Sequence, residues 1–67
     1  MKKIDVNGVG RSIPKEVGDV YQLLHHLGLE NRILIVELNR QILNKEAYDH
    51  PIRDKDQIEI IHFVGGG

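Results

Sequence analysis

Between Asp19 and Gly28 the chain carries one clear helical pattern, and that pattern limits what the remainder can be. Val20, Leu23, Leu24 and Leu27 fall at i, i+3, i+4 and i+7, one stripe of a 3.6-residue helix. Asp19 is a candidate N-cap, and Gly28 stands where a left-handed C-cap is expected. Leu29, just beyond, is placed to fold back onto the last turn as a Schellman contact. A lone amphipathic helix cannot bury its own stripe, so the rest of these 67 residues must supply the opposing layer.

That layer reads as strands. Lys3-Ile4-Asp5-Val6 alternates polar and apolar, Asn7-Gly8 is a hairpin turn signal, and a second strand follows around Arg11 to Ile13. Pro14 cannot donate to a ladder and closes it. After the helix come Ile33-Leu34-Ile35-Val36-Glu37-Leu38, a turn at Asn39-Arg40-Gln41 and a short strand at Ile42-Leu43. Lys45 to Tyr48 can form one helical turn, and His50-Pro51 breaks it. Asp54-Lys55-Asp56 is a polar turn before a last strand, Gln57 to Val64. The expected fold class is α+β, a roll with a mixed four- to five-stranded sheet packed on one helix, in a single domain over residues 1–67. A crossover through the helix would place parallel strands at the sheet centre.

Two charged residues fix the phase of two strands. If Glu37 faces water, Leu34, Val36 and Leu38 face the core, while Ile33 and Ile35 share the face of Glu37. Glu59 does the same for the last strand, sending Ile58 and Ile60 inward and leaving Ile61 and Phe63 outside. No second helix is available to cover the far side of the sheet. Ile33, Ile35, Ile61 and Phe63 are therefore candidates for a partner interface, since contiguous exposed apolar residues on a small domain mark contact surfaces. The alternative is that loops, or the 45–52 segment, fold over them.

The sequence then ends Phe63-Val64-Gly65-Gly66-Gly67. Glycine removes the Cβ obstruction, so a tail at 65–67 can thread a channel too narrow for side chains and leaves the terminal carbonyl open to attack. Extended, three residues reach about 10 Å past the strand. An ordinary frayed terminus is the competing reading.

Composition excludes several other functions. Nine basic residues against ten acidic give a net charge of −1, without the basic footprint that nucleic-acid binding needs. There are no cysteines, hence neither disulfides nor a thiolate zinc site, and a cytoplasmic setting is compatible. No apolar run approaches a signal peptide or the ~20 residues of a membrane span. His25 and His26 point about 100° apart on a helix, and His50 and His62 are distant, so no metal site is expected. Glu46 and Asp49 lack any other catalytic group nearby, and no nucleophile is paired with a base. No glycine-rich loop joins a strand to a helix as a phosphate cradle. A chain this short buries only about 60% of its unfolded surface, which leaves little room for an enclosed active site.

The strand–strand–helix–strand–strand–strand order, the Val36-Glu37-Leu38-Asn39 strand end, the Asp54-to-Asp56 turn and the His62-Phe63-Val64-Gly65-Gly66-Gly67 ending together resemble the ubiquitin-like sulfur carriers of the β-grasp fold, above all those of thiamine biosynthesis. Gly65 departs from a bare diglycine ending and alters only reach and flexibility. The resemblance implies a covalent carrier, a protein cosubstrate rather than an enzyme, with no catalytic residue, metal or cofactor of its own. A ThiF-like adenylating enzyme, similar to the ubiquitin-activating enzymes, would use ATP and Mg²⁺ to convert the Gly67 carboxylate to an acyl-adenylate. Gly65 and Gly66 would thread its site. A sulfur donor such as a persulfide enzyme would then leave a Gly67 thiocarboxylate, and a ThiG-like thiazole synthase would take the sulfur to build the thiazole of thiamine. A related carrier for molybdopterin or cysteine biosynthesis would share this terminal chemistry. A different class, a non-covalent β-grasp binding module, would share only the fold.

Overall fold

The computed structural model describes residues 1–63, so the expectations for Gly65, Gly66 and Gly67 lie outside the described residues. Five strands form one sheet: β1 (Lys2–Val6), β2 (Val9–Ile13), β3 (Leu34–Leu38), β4 (Gln41–Leu43) and β5 (Gln57–His62), in the order β2-β1-β5-β3-β4. The helix α1 (Val20–His26) packs on one face. β5 is central, parallel to β1 and antiparallel to β3, so the sheet centre holds a parallel pair as expected, but its strands are β1 and β5 and not the two that the helix directly joins, β2 and β3. The two outer pairs are antiparallel hairpins. This is the mixed-sheet α+β arrangement expected above.

Local chemistry accounts for each junction. Val6 pairs with Val9 across Asn7 (φ 52°) and Gly8 (φ 80°), a two-residue turn with both central residues left-handed, as a type I′ hairpin requires. Asp19 Oδ1 accepts from the Gln22 N–H at 2.8 Å and caps the helix. At the other end the Gly28 N–H donates to His25 O and the Leu29 N–H donates to Leu24 O, both halves of a Schellman motif, with Gly28 at φ 74°. Leu29 packs on the core as that motif predicts. The β3–β4 hairpin repeats the left-handed turn with Asn39 (φ 49°) and Arg40 (φ 70°).

Side-chain amides extend the backbone ladders around β5. Asn7 Oδ1 accepts from the Ile60 N–H at 2.7 Å and Asn7 Nδ2 donates to Ile60 O at 3.2 Å, continuing the β1–β5 pairing past the end of β1. Asn39 Oδ1 accepts from the Gln57 N–H at 2.9 Å, and Asn39 Nδ2 donates to Asp56 at 3.1 Å. The start of β5 is thus tied to the β3–β4 turn, and its middle to the β1–β2 turn.

The core lies between sheet and helix. Ile4, Val6, Val36, Leu38, Ile58 and Ile60 from the sheet meet Val20, Leu23 and Leu24 from α1, and Leu27 and Leu34 pack at the margin. Glu37 and Glu59 set the phases as expected. Residues 44–52, which include a 3-10 turn at Lys45–Ala47, do not fold over the far face. They run past the start of α1, where Tyr21 N–H donates to Tyr48 O, Val20 N–H to His50 O and Ile52 N–H to Gly18 O, and Ile52 completes the core. Lys2 Nζ donates to Val17 O and Ile52 O and ties β1 to both loops.

Leu24→Ala or Ile60→Ala should therefore cost roughly 2–5 kcal/mol, because each empties a filled site. Ile61→Ala, on the other face, should cost under about 0.5 kcal/mol. Urea unfolding of the three variants checks this, and a large loss at Ile61 would reverse the assigned phase of β5.

Candidate functional site

Register brings the four apolar residues singled out in the sequence together. Ile35 and Ile61 are directly opposite on β3 and β5. The same register, carried one step further by the Phe63 N–H donating to Ile33 O at 3.1 Å, sets Phe63 opposite Ile33. Side chains directly opposite share a face, so these form two stacked apolar rows on the side away from α1. Ile33 is 77% exposed, Phe63 56% and Ile61 46%, with Ile35 half-buried between neighbours. The rows sit at the end of β5 that leads to the glycines.

Sequence reasoning missed one member. Ile42, 67% exposed, is directly opposite Glu37 and widens the apolar surface to the sheet edge. The signal was available: a two-residue turn at Asn39-Arg40 pairs Leu38 with Gln41, which brings Ile42 beside Glu37.

Beside this edge is a cleft of about 500 Å³. Its apolar wall includes Leu24, Leu29, Leu34 and Leu43, with Tyr21 and Tyr48 at the side. Burial pushes the Tyr48 phenol above its ordinary range and keeps it neutral.

The remaining polar candidates do not converge. His25 Nδ1 lies 3.4 Å from Glu30, His50 Nδ1 contacts Pro51 O at 2.9 Å, and His62 stands opposite Leu34 at the end of β5. Among the described residues no three His, Asp or Glu side chains cluster as metal ligands. No buried side-chain polar atom among them lacks a hydrogen-bond partner. Among the described residues no helix is long and apolar enough to cross a membrane. The open face is thus an exposed apolar surface, and no group among the described residues is placed to cleave or form a bond.

The ThiS family model matches residues 4–67, which takes in β1 from Ile4 onward, the other four strands, the helix and the glycine ending. The chain belongs to the ThiS family. Within it, the chain is 46% identical over 66 residues to the sulfur carrier protein ThiS of Bacillus subtilis, covering 96% of this chain and 98% of that one. The solved structure of the thiamine biosynthesis protein ThiS from Geobacter metallireducens superposes with a TM-score of 0.80 at 32% identity, over 97% of this chain and 99% of that one. Nearly the whole chain is also similar to a fifth of a much longer protein, the thiazole synthase of Paramagnetospirillum magneticum, at 36% identity over 66 residues. The structure thus has the β-grasp fold of ThiS.

Placing a charge in the apolar rows should separate docking from folding. Phe63→Asp and Ile61→Asp are expected to unfold within a few degrees of the unaltered protein, because neither side chain is in the core. If the adenylating partner expected from the sequence docks on this face, both should lose activation by it. Thermal melts read alongside an activation assay check this, and an unfolded Ile61→Asp would contradict the placement.

Proposed function

We propose that this protein is the sulfur carrier of thiazole formation in thiamine biosynthesis, acting as a protein cosubstrate and not as an enzyme. A ThiF-like adenylating enzyme seats on the apolar rows and receives the glycine ending. One carboxylate oxygen of Gly67 attacks the α-phosphorus of ATP·Mg²⁺ and expels pyrophosphate, giving an acyl-adenylate. A carboxylate is a poor electrophile, and the adenylate supplies its leaving group. The terminal sulfur of a donor persulfide then displaces AMP. A second thiol cleaves the resulting acyl persulfide, leaving the thiocarboxylate on Gly67 and a disulfide on the donor side. A ThiG-like thiazole synthase takes that sulfur. ATP and Mg²⁺ belong to the partner, and the setting is the cytoplasm.

The observation that carries this reading is positional. The strand that displays Ile61, with Phe63 just past its end, is the one that precedes Gly65-Gly66-Gly67 in the sequence, in a chain that matches the ThiS family through residue 67. A partner that grips the face is thereby brought to the tail. Similarity to a stretch of thiazole synthases favours thiazole formation over the molybdopterin and cysteine pathways.

One added residue distinguishes this from non-covalent binding. Appending a single alanine after Gly67 should abolish thiazole formation in a reconstituted reaction with thiazole synthase, the adenylating enzyme and a sulfur donor. Full activity of the extended chain would refute the terminal chemistry.

A further inference from the structure

The open face of the sheet changes character one row back from its apolar end. Behind the Phe63–Ile33 and Ile61–Ile35 rows comes Glu59, directly opposite Glu37, with Ile42 flanking Glu37 on β4. The N–H of Asn39 donates to Gln57 O and that of Phe63 to Ile33 O, so these rows are of the hydrogen-bonded type. Glu37 and Glu59 are in phase with them, which sets their Cα atoms about 5.5 Å apart. Like charges directly opposite in an antiparallel pair are destabilising. Among the described residues no lysine or arginine side chain lies within salt-bridge distance of either carboxylate, so neither glutamate is paired by those residues.

Successive rows are about 6.5–7 Å apart along the strands. The acidic row therefore lies within the footprint of any protein that covers the two apolar rows, since a standard interface takes about 800 Å² from each partner. Covering it without a counter-charge would desolvate two carboxylates together, a cost that rejects a purely apolar partner surface.

We propose that the adenylating enzyme presents a cationic side chain to the Glu37–Glu59 pair, so that the apolar rows supply contact area and the acidic row supplies register and selectivity. This rests on the carrier function proposed above and names the chemistry of the partner surface. A guanidinium suits the position best, because its planar fork can bond both carboxylates at once. The partner surface is then apolar where it meets Phe63 and Ile61, and basic one row further from the site that receives the glycines.

The test is ATP–pyrophosphate exchange catalysed by the adenylating enzyme, with the full chain as the varied substrate. Glu37→Gln with Glu59→Gln should raise the KM for the carrier by about tenfold or more at unchanged kcat. Added salt should raise the KM of the unaltered protein and leave that of the double variant nearly flat. The double variant should melt no lower than the unaltered protein, because repulsion has been removed. An unchanged KM in the double variant, with a raised KM in Ile61→Asp, would overturn the acidic contact and leave the carrier function standing. Ile61→Asp without effect would move docking off this face and overturn the proposal. Self-association of the free protein in sedimentation, abolished by Ile61→Asp, would assign the face to a second copy and also overturn it. No exchange with the unaltered chain would overturn the carrier function itself, and this inference with it.

Discussion

The position of β5 between β1 and β3 commits the rest of the structure. A central strand has both ladders paired, so its register cannot slip by one residue without exchanging its two faces. Here a slip would expose Ile58 and Ile60 and bury Glu59. Two side-chain amides add to that constraint: Asn7 bonds both backbone groups of Ile60, and Asn39 holds the Gln57 N–H. With β5 fixed, Ile61 and Phe63 must face away from the helix.

One consequence is a division between stability and function within single strands. On β3 and β5, alternate residues pack against α1, and the intervening ones form the open face. The inward set contributes Val36, Leu38, Ile58 and Ile60 to the core of a domain too small to have a second one, so changes there threaten the whole fold. The outward set can carry an exposed apolar surface and opposed glutamates because little of the fold depends on it. A carrier that must be recognised and then released gains from that separation.

Much of this was legible in the sequence because few residues decide it. Asp19, the Val20–Leu27 stripe and Gly28 define the helix and its ends, while Asn7-Gly8 defines the first hairpin. Glu37 and Glu59 break otherwise apolar runs and give the phases from which the open face follows. Other features depend on spatial pairing that periodicity does not encode. Ile52 enters the core because residues 44–52 lie against the start of α1, a contact between segments some thirty residues apart in sequence. The bonds of Asn7 to Ile60 span 53 positions. The pairing of Glu37 with Glu59 required the β3–β5 register, since each glutamate alone reads as an ordinary solvent-facing charge.

If the chain end carries the sulfur, the intact mass of the protein must change when it is loaded. After incubation with ATP·Mg²⁺, the adenylating enzyme and a persulfide donor, the expected result is a mass gain equal to the replacement of one oxygen by sulfur, absent when Gly67 is deleted. An unchanged mass under conditions in which the same enzyme and donor convert another ThiS protein would contradict it.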